Sequence, residues 1–373
     1  MLEVDRRQVM AYRVAAHGLH RTESDPAELA VFDLGVQDNQ RDSVALALAA
    51  RLRGEVTAES FVDDPRFVLA WTHRGAPHVH RAGELAEVVR ALIPLSEADA
   101  MARMTWQRKQ VTAAGMPATE ALFTAARAIR EVVTEPMTKG AVSAAVTKII
   151  PAGLSFWCRG CQATHILEQL MRVAAPHAGV RLVAGAAPAT LAPIEGRGRM
   201  VTSPDVPAAT RVVAAYLALH GPATTAEAAG FAGTTKTVVA GMWPDDLAEV
   251  RVDGRAAFLP ASRLPLLENP PEPAPARLLP PWDPFLQARD RESLVPDKAA
   301  RKEVWKILGN PGVMLADGEV AGTWRTKSSG KRLDFTLSPF WTLPPPIRAS
   351  LEAEAERAAA TRGFPDVRIT WGS

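Results

Sequence analysis

The stretch Pro222–Met242, PATTAEAAGFAGTTKTVVAGM, followed by Asp246–Pro260, DLAEVRVDGRAAFLP, decides the fold class. Thr224 or Thr225 precedes an alanine-rich run, and Thr234 or Thr235 precedes a second run. A threonine oxygen at such a position accepts from the unpaired N–H groups of a first helical turn. Gly230 and Gly233 bracket the exit of the first helix, where a residue without Cβ closes the last turn at least strain. Upstream, Val212, Tyr216 and Leu219 recur at the spacing of one buried helix face. Downstream, Asp253-Gly254 joins two extended runs, and this dipeptide favours the φ > 0 geometry of a tight hairpin. Three helices and a hairpin in this order predict a winged helix over 201–268.

The same order of elements recurs twice upstream without sequence identity between the copies. In residues 1–95, Val9, Tyr12, Ala16 and Leu19 form one helical stripe and Val44, Leu48 and Leu52 another. FVLAWTHRGAPHVHR, residues 67–81, then reads as strand, turn and strand. In residues 96–200 the helices are marked by Leu122, Ile129 and Val133, by Val142, Val146 and Ile149, and by Ile166, Leu170 and Met171. RLVAG (181–185) and ATLAPI (189–194) supply the hairpin. The proline-rich LENPPEPAPA, residues 267–276, has few backbone donors for helix or sheet and predicts an extended connector. Beyond it, VMLADGEVAGTWR and RLDFTLS read as strands and about Ile347 to Arg362 as a charged helix, which makes 276–373 a β-rich domain. The predicted class is α+β, mainly α, with three tandem winged-helix units followed by a β-rich C-terminal domain.

Composition narrows the function classes. A chain of 373 residues exceeds one ordinary core, and its 47% hydrophobic and 23% charged residues are those of a globular protein. No apolar run is long enough for a membrane helix and MLEVDRRQ has no signal-like apolar core, so a cytoplasmic location is expected. The net charge of +2 leaves local patches to decide the partner. The two cysteines lie in CRGCQATH with His165, a spacing that offers Cys158, Cys161 and His165 as lesser metal-ligand candidates. A fourth ligand would have to be His177, from beyond a predicted helix, so the preferred reading is reduced thiols at a helix start, with no metal and no cofactor.

Five stretches in order carry a resemblance that spans nearly the whole chain: LGVQD (34–38), ALALAAR (45–51), WTHRGAPHVH (71–80), LLPPWDPFLQARDR (278–291) and LADGEVAGTWR (315–325). Together they resemble the AlkZ-like, or YcaQ-like, winged-helix DNA glycosylases. That resemblance implies excision of alkylated bases from DNA, in some members with unhooking of interstrand crosslinks. It also implies a catalytic signature of glutamine, an apolar residue, then glutamine or aspartate. Laid on LGVQD, the signature falls on Gly35, Val36 and Gln37, which leaves a glycine in the first polar place. The alternative register, Gln37, Asp38 and Asn39, puts a charge in the apolar place, and the first register is preferred.

In that reading Gln37 orients water toward the sugar, and Asp38, or next Asp33, supplies the charge of the absent partner. The competing reading makes DLGVQDNQ (33–40) a plain loop, with Asp42 or Ser43 as the cap of the following helix. Phosphate contacts are expected from His73, Arg74, His78, His80 and Arg81 on the 67–81 hairpin, and from Arg325, Lys327, Lys331 and Arg332 around the glycine turn of RTKSSGKR. Trp282 with Asp283, and Trp324 with Arg325, read as packing and ion-pair elements. The expected protein is a monomer, cytoplasmic and nucleoid-associated, acting on damaged double-stranded DNA and away from membranes. Its alternative is a non-catalytic winged-helix DNA-binding or regulatory protein that has lost half of the catalytic motif.

Overall fold

The computed structural model describes residues 2–40, 42–58, 64–274 and 276–372. They form two compact units, one made of Met1–Asp64, Ala214–Glu227 and Asp245–Ser373, the other of Pro65–Val213 and Ala228–Pro244. These units cut across the four segments read along the chain, because the first sixty residues bury their apolar faces on segments two hundred or more residues later. Among the described residues no helix is long and apolar enough to cross a membrane.

In the first unit, helix Arg6–Ala16 starts at Asp5, whose side chain accepts from the N–H of Gln8. One face of it sets Val9 and Tyr12 against Val250, Leu259 and Leu267, while Met10 and Val14 meet Leu279, Phe285, Val313 and Leu315. Strand Leu2–Val4 runs parallel to Leu247–Val252, which returns antiparallel as Arg255–Pro260 through the expected turn, with φ of 48° at Asp253 and 79° at Gly254. Thr224 and Glu227 form the reciprocal capping box foreseen at Thr224 or Thr225: the Thr224 N–H donates to Glu227 Oε2 at 2.6 Å, and the Glu227 N–H to Thr224 Oγ1 at 3.4 Å.

The C-terminal part is a five-stranded sheet in the order Ala276–Leu279, Gly312–Ala316, Glu319–Ser329, Arg332–Pro339, Asp366–Trp371. Only the last pair is parallel, and helix Pro345–Thr361 makes that connection. Leu351, Ala355 and Ala359 of the helix pack on Leu278, Met314, Phe335 and Leu337. Leu46, from helix Ser43–Ala49, completes this core. All seven residues of that short helix are buried, so packing rather than propensity holds it. Of the proline-rich connector, Pro275 lies outside the described residues; residues 269–274 carry no helix or strand.

One ion pair ties the ends together. Arg51 donates from Nη2 to Asp283 Oδ1 at 2.7 Å and from Nη1 to Oδ2 at 2.9 Å, with both side chains 0% exposed. The remaining donors reach the His17 and Ala47 carbonyls, and Asp283 also accepts from the N–H of Phe285. A second bidentate pair joins Arg13 to Asp290.

The second unit is helical with three small β elements. Helix Ala118–Val132 buries Ala121, Leu122, Ala125, Ala128 and Ile129, the expected stripe. Helices Lys139–Thr147 and Glu168–Ala174 follow, and the two expected strands pair as Val180–Leu182 with Thr190–Pro193. Ile166, read as helical, lies instead on a strand: Ser155–Cys158 and Ala163–Ile166 form an antiparallel hairpin before the helix begins. Short helices Leu85–Ala91, Glu97–Arg103 and Arg108–Ala113 carry too few turns to show a period in the sequence. Helix Lys236–Ala240 begins at the expected cap, Thr235, while the Thr234 hydroxyl donates to Asp99 at 2.6 Å.

Removing one partner of the Arg51–Asp283 pair leaves a buried charge uncompensated, so Asp283→Ala should lower unfolding free energy by about 3–5 kcal/mol in urea titrations. The double variant Arg51→Met, Asp283→Leu should recover most of that loss. Equal losses in single and double variants would show that the pair contributes nothing specific.

Candidate functional site

The DLGVQDNQ stretch leaves a 3-10 turn, Ala30–Asp33, and enters a two-residue strand, Val36–Gln37. Between them Gly35 has φ of 80°, a conformation in which any side chain is strained. The first register puts Gly35 where the family signature has glutamine, and at this φ a glutamine side chain would be strained. Gln37 is 6% exposed and its carboxamide oxygen has no hydrogen-bond partner within the protein. Burying an acceptor in this way costs about 1–3 kcal/mol.

Asp38 is half-buried and accepts from the Ser43 hydroxyl at 3.1 Å. Burial raises its carboxyl above the usual aspartate value, the Ser43 hydrogen bond opposes this, and the nearby Asp42 charge adds to it. The capping role expected of Asp42 or Ser43 is not realised. Asp42 sits at the N-cap position with φ of 64° and makes no cap bond; its carboxylate accepts from Arg362 Nε at 3.2 Å. Ser43 is committed to Asp38. Asp33 is exposed at the end of its turn and away from the cleft lining.

Beside Ser43 opens a cleft of about 220 Å³ lined by Gln40, Ser43, Asn310, Trp324, Arg325 and Arg362, among others. Its wall is rigid for a local reason. The Trp324 indole N–H donates to the Leu279 carbonyl at 2.9 Å, and a Cβ on Gly312 would stand 2.2 Å from the ring. Arg362 donates to Thr326 Oγ1 and Arg325 to the Gly309 carbonyl, which hold both guanidinium groups at the rim. Asn310, on the cleft lining, has a buried carboxamide oxygen without a partner, a second open acceptor of the same kind as that of Gln37. Sequence reading missed Asn310 and Arg362; the Gly309-Asn-Pro-Gly312 cluster was the available signal, since such a run between elements marks an irregular backbone.

Of the basic residues in RTKSSGKR, Arg325, Lys327 and Lys331 are exposed along the Glu319–Ser329/Arg332–Pro339 hairpin. Arg332 is half-buried and paired with Asp334 at 2.7 Å. The 67–81 hairpin is a correction. His73, His78 and His80 are 2%, 2% and 0% exposed, so these imidazoles cannot meet a phosphate backbone. They cluster around Thr72, whose Oγ1 lies 3.0 Å from His78 Nδ1 and 2.9 Å from His80 Nε2. Arg74 donates to the Phe231 carbonyl and lies over that ring at 4.9 Å, and Arg81 pairs with Glu84. An arginine-histidine run on a hairpin reads as surface only when the hairpin faces solvent, and this one packs inward.

The cysteines also depart from expectation: Cys158 ends one strand of a hairpin and Cys161 lies in its turn, not at a helix start. Both are free thiols, and with His165 their ligand atoms lie within 4.8 Å of one another. His177, the fourth ligand considered, is buried against Phe123 instead.

Residues 31–361 match the family described as DNA glycosylase AlkZ-like, and the chain belongs to it. Among solved structures it is similar to the Streptomyces sahachiroi DNA glycosylase AlkZ, with a TM-score of 0.77 and 22% sequence identity over 100% of both chains, which shows a shared fold. No curated protein matches the chain.

Burial holds His73 and His78 well below the usual histidine value and His80 and His177 at about 3. Above pH ~6.5 these groups are neutral folded or unfolded and have no effect. As pH falls from there toward 3 only the unfolded chain gains the protons, so stability should fall by up to about 1.4 kcal/mol per pH unit for each imidazole. Urea unfolding at pH 7 and pH 5 measures this; His80→Gln should flatten the slope, and a pH-independent midpoint would contradict the burial described.

Proposed function

We propose that this chain is a DNA glycosylase that hydrolyses the N-glycosidic bond of alkylated purines, and that it grips duplex DNA through tandem winged helices and a basic C-terminal hairpin. The observation that carries the reading is the buried, unpartnered Gln37 oxygen next to Asp38, with Asp38 held by a residue of the cleft wall. An open acceptor is destabilising unless something fills it, and water or substrate are the available occupants.

Alkylation at N7 or N3 makes a purine cationic, so the bond is already labile and the leaving base needs little protonation. Water attacks C1′, its proton passes to the Asp38 carboxylate, and the bonding pair leaves with the base. Gln37 orients that water, while Asp38 in its charged form also offsets the cation developing on the sugar. The φ of Gly35 would strain a side chain in the first polar place of the signature, so in this reading Asp38, next to Gln37, supplies the charge of the absent partner. Among the described residues the cleft lining offers arginine, amide and hydroxyl groups but no amine, in keeping with a monofunctional enzyme that leaves an abasic site. Excision at one strand of an interstrand crosslink would unhook it by the same step. Exposed Arg325, Lys327 and Lys331 meet phosphates without reading sequence, as a repair enzyme requires.

Release of 7-methylguanine from a duplex, followed by alkaline cleavage of the abasic site, tests the activity. Gln37→Ala should slow release by about 10²–10³ with duplex affinity unchanged, because it removes positioning in the transition state rather than phosphate contact. Activity should fall on acidification, with a midpoint above the ordinary aspartate range, and Asp38→Asn should slow release and abolish that limb. A wild-type protein that binds duplexes but releases no alkylated base would make it a non-catalytic binder.

The binding half is tested separately. Replacing Lys327 and Lys331 by alanine should weaken binding to unrelated duplexes alike and reduce the slope of log affinity against log salt by roughly 2. An unchanged slope would place the phosphate contacts elsewhere.

A further inference from the structure

We propose that the Ser155–Cys158/Ala163–Ile166 hairpin binds one zinc ion through Cys158 Sγ, Cys161 Sγ and His165 Nε2. Nothing in the glycosylase reading uses these residues. Their ligand atoms already lie within 4.8 Å of one another. Ligands of tetrahedral zinc at Zn–S of ~2.3 Å and Zn–N of ~2.0 Å stand about 3.5–3.8 Å apart, so closure asks for a shift of about an ångström at most.

Two observations point independently to a ligand. The first is the turn. Cys158 pairs with Ala163 across the hairpin, and Cys161 is carried back toward it by a turn in which Gln162 adopts φ of 51° and its side chain donates to the Arg159 carbonyl. The Cys-x2-Cys-x3-His spacing thus brings both thiols and the imidazole to one end of the hairpin. The second is the histidine. Nδ1 of His165 lies 3.3 Å from the hydroxyl of Ser143, a residue 5% exposed on helix Lys139–Thr147, whereas Nε2 is buried with no partner. A metal-bound imidazole has this division of roles, with one nitrogen oriented by a hydrogen bond and the other left for the ion. A histidine with no ligand would leave that nitrogen unsatisfied.

Thiolate and imidazole together select zinc over magnesium or calcium, which take oxygen ligands. Three protein ligands leave a fourth position, open to water or to an exogenous group. Each thiol loses its proton on binding, so two protons are released for each ion taken up. The ion would stiffen a hairpin with strands of four residues each, whose Phe156 and Trp157 are exposed. Such a short pair has little packing of its own to hold it.

The full chain, purified under reducing conditions with two titratable thiols confirmed, is loaded with zinc, desalted and measured for metal. One zinc per chain is expected. Cobalt should replace it and give thiolate-to-metal charge-transfer absorption with the strong visible bands of a tetrahedral site. Cys158→Ser with Cys161→Ser should lose both signals while far-UV circular dichroism stays that of the wild type. Ser143→Ala, which leaves all three ligands in place, should weaken zinc binding by roughly 10–100-fold. Failure of the reduced wild type to bind zinc or cobalt would overturn the proposal. So would retention of the metal by the double serine variant, or a Cys158–Cys161 disulfide in protein kept reduced throughout. None of these readouts depends on base excision, so the site and the glycosylase activity succeed or fail separately.

Discussion

The Arg51–Asp283 pair, fully enclosed and bonded on both sides to the surrounding backbone, is the constraint from which the first unit follows. Arg51 comes directly after the buried helix Ser43–Ala49, and Asp283 comes directly before the 3-10 turn Pro284–Gln287 that leads away from the first strand of the C-terminal sheet. Joining them presses that helix onto the sheet, with Leu46 in the sheet's own core. The residue that opens the helix, Ser43, holds Asp38 and lines the cleft. A bidentate arginine fork fixes direction as well as distance. The position of the DLGVQDNQ loop is therefore decided at the far end of a seven-residue helix.

Local signals were legible where they act locally. Thr224, Thr235 and Asp253-Gly254 perform the cap and turn roles their residue types imply, since each needs only its immediate neighbours. The stripe through Leu122 and Ile129 was legible for the same reason, on a helix long enough to show its period. Partnership at long range was not. Nothing in WTHRGAPHVHR says that its imidazoles face inward, and nothing in ALALAAR says that its arginine reaches a carboxylate far downstream. Gly35 shows the limit within the site itself: its identity was visible, but only its φ explains it. The strand carrying Ile166 was hidden because four-residue strands and one helical turn share the same apolar spacing.

Buried polar groups fall into two kinds here, those closed by partners and those left with an open atom. Asp99 accepts from Arg103, Thr234 and the Leu95 N–H, and its carboxyl is held below the ordinary range; although burial alone would raise it, these partners outweigh that effect. It is a closed network, which gives a core one arrangement. Gln37 and Asn310 each keep an oxygen without a partner, and Asp38 moves in the opposite direction to Asp99 because its hydrogen bonding does not outweigh burial. Two carboxylates of the same chemistry thus acquire opposite tendencies: both are raised by burial, but the Arg103 charge and several donors pull Asp99 down, while a single hydroxyl and the Asp42 charge leave Asp38 raised.

The division of the first unit between distant parts of the chain has a consequence for its synthesis. Arg51 and Asp283 are 232 residues apart, and at about 5–20 residues per second the ribosome needs roughly 12–46 s to make the second after the first. During that interval the whole of the second unit, which ends at Pro244, is made and can begin to fold, while the DLGVQDNQ loop has no sheet to rest on. Its helix is too short to persist alone in water. A chain that breaks off early therefore carries the loop's sequence without its geometry, and the loop takes its folded form only when the final strands have been translated.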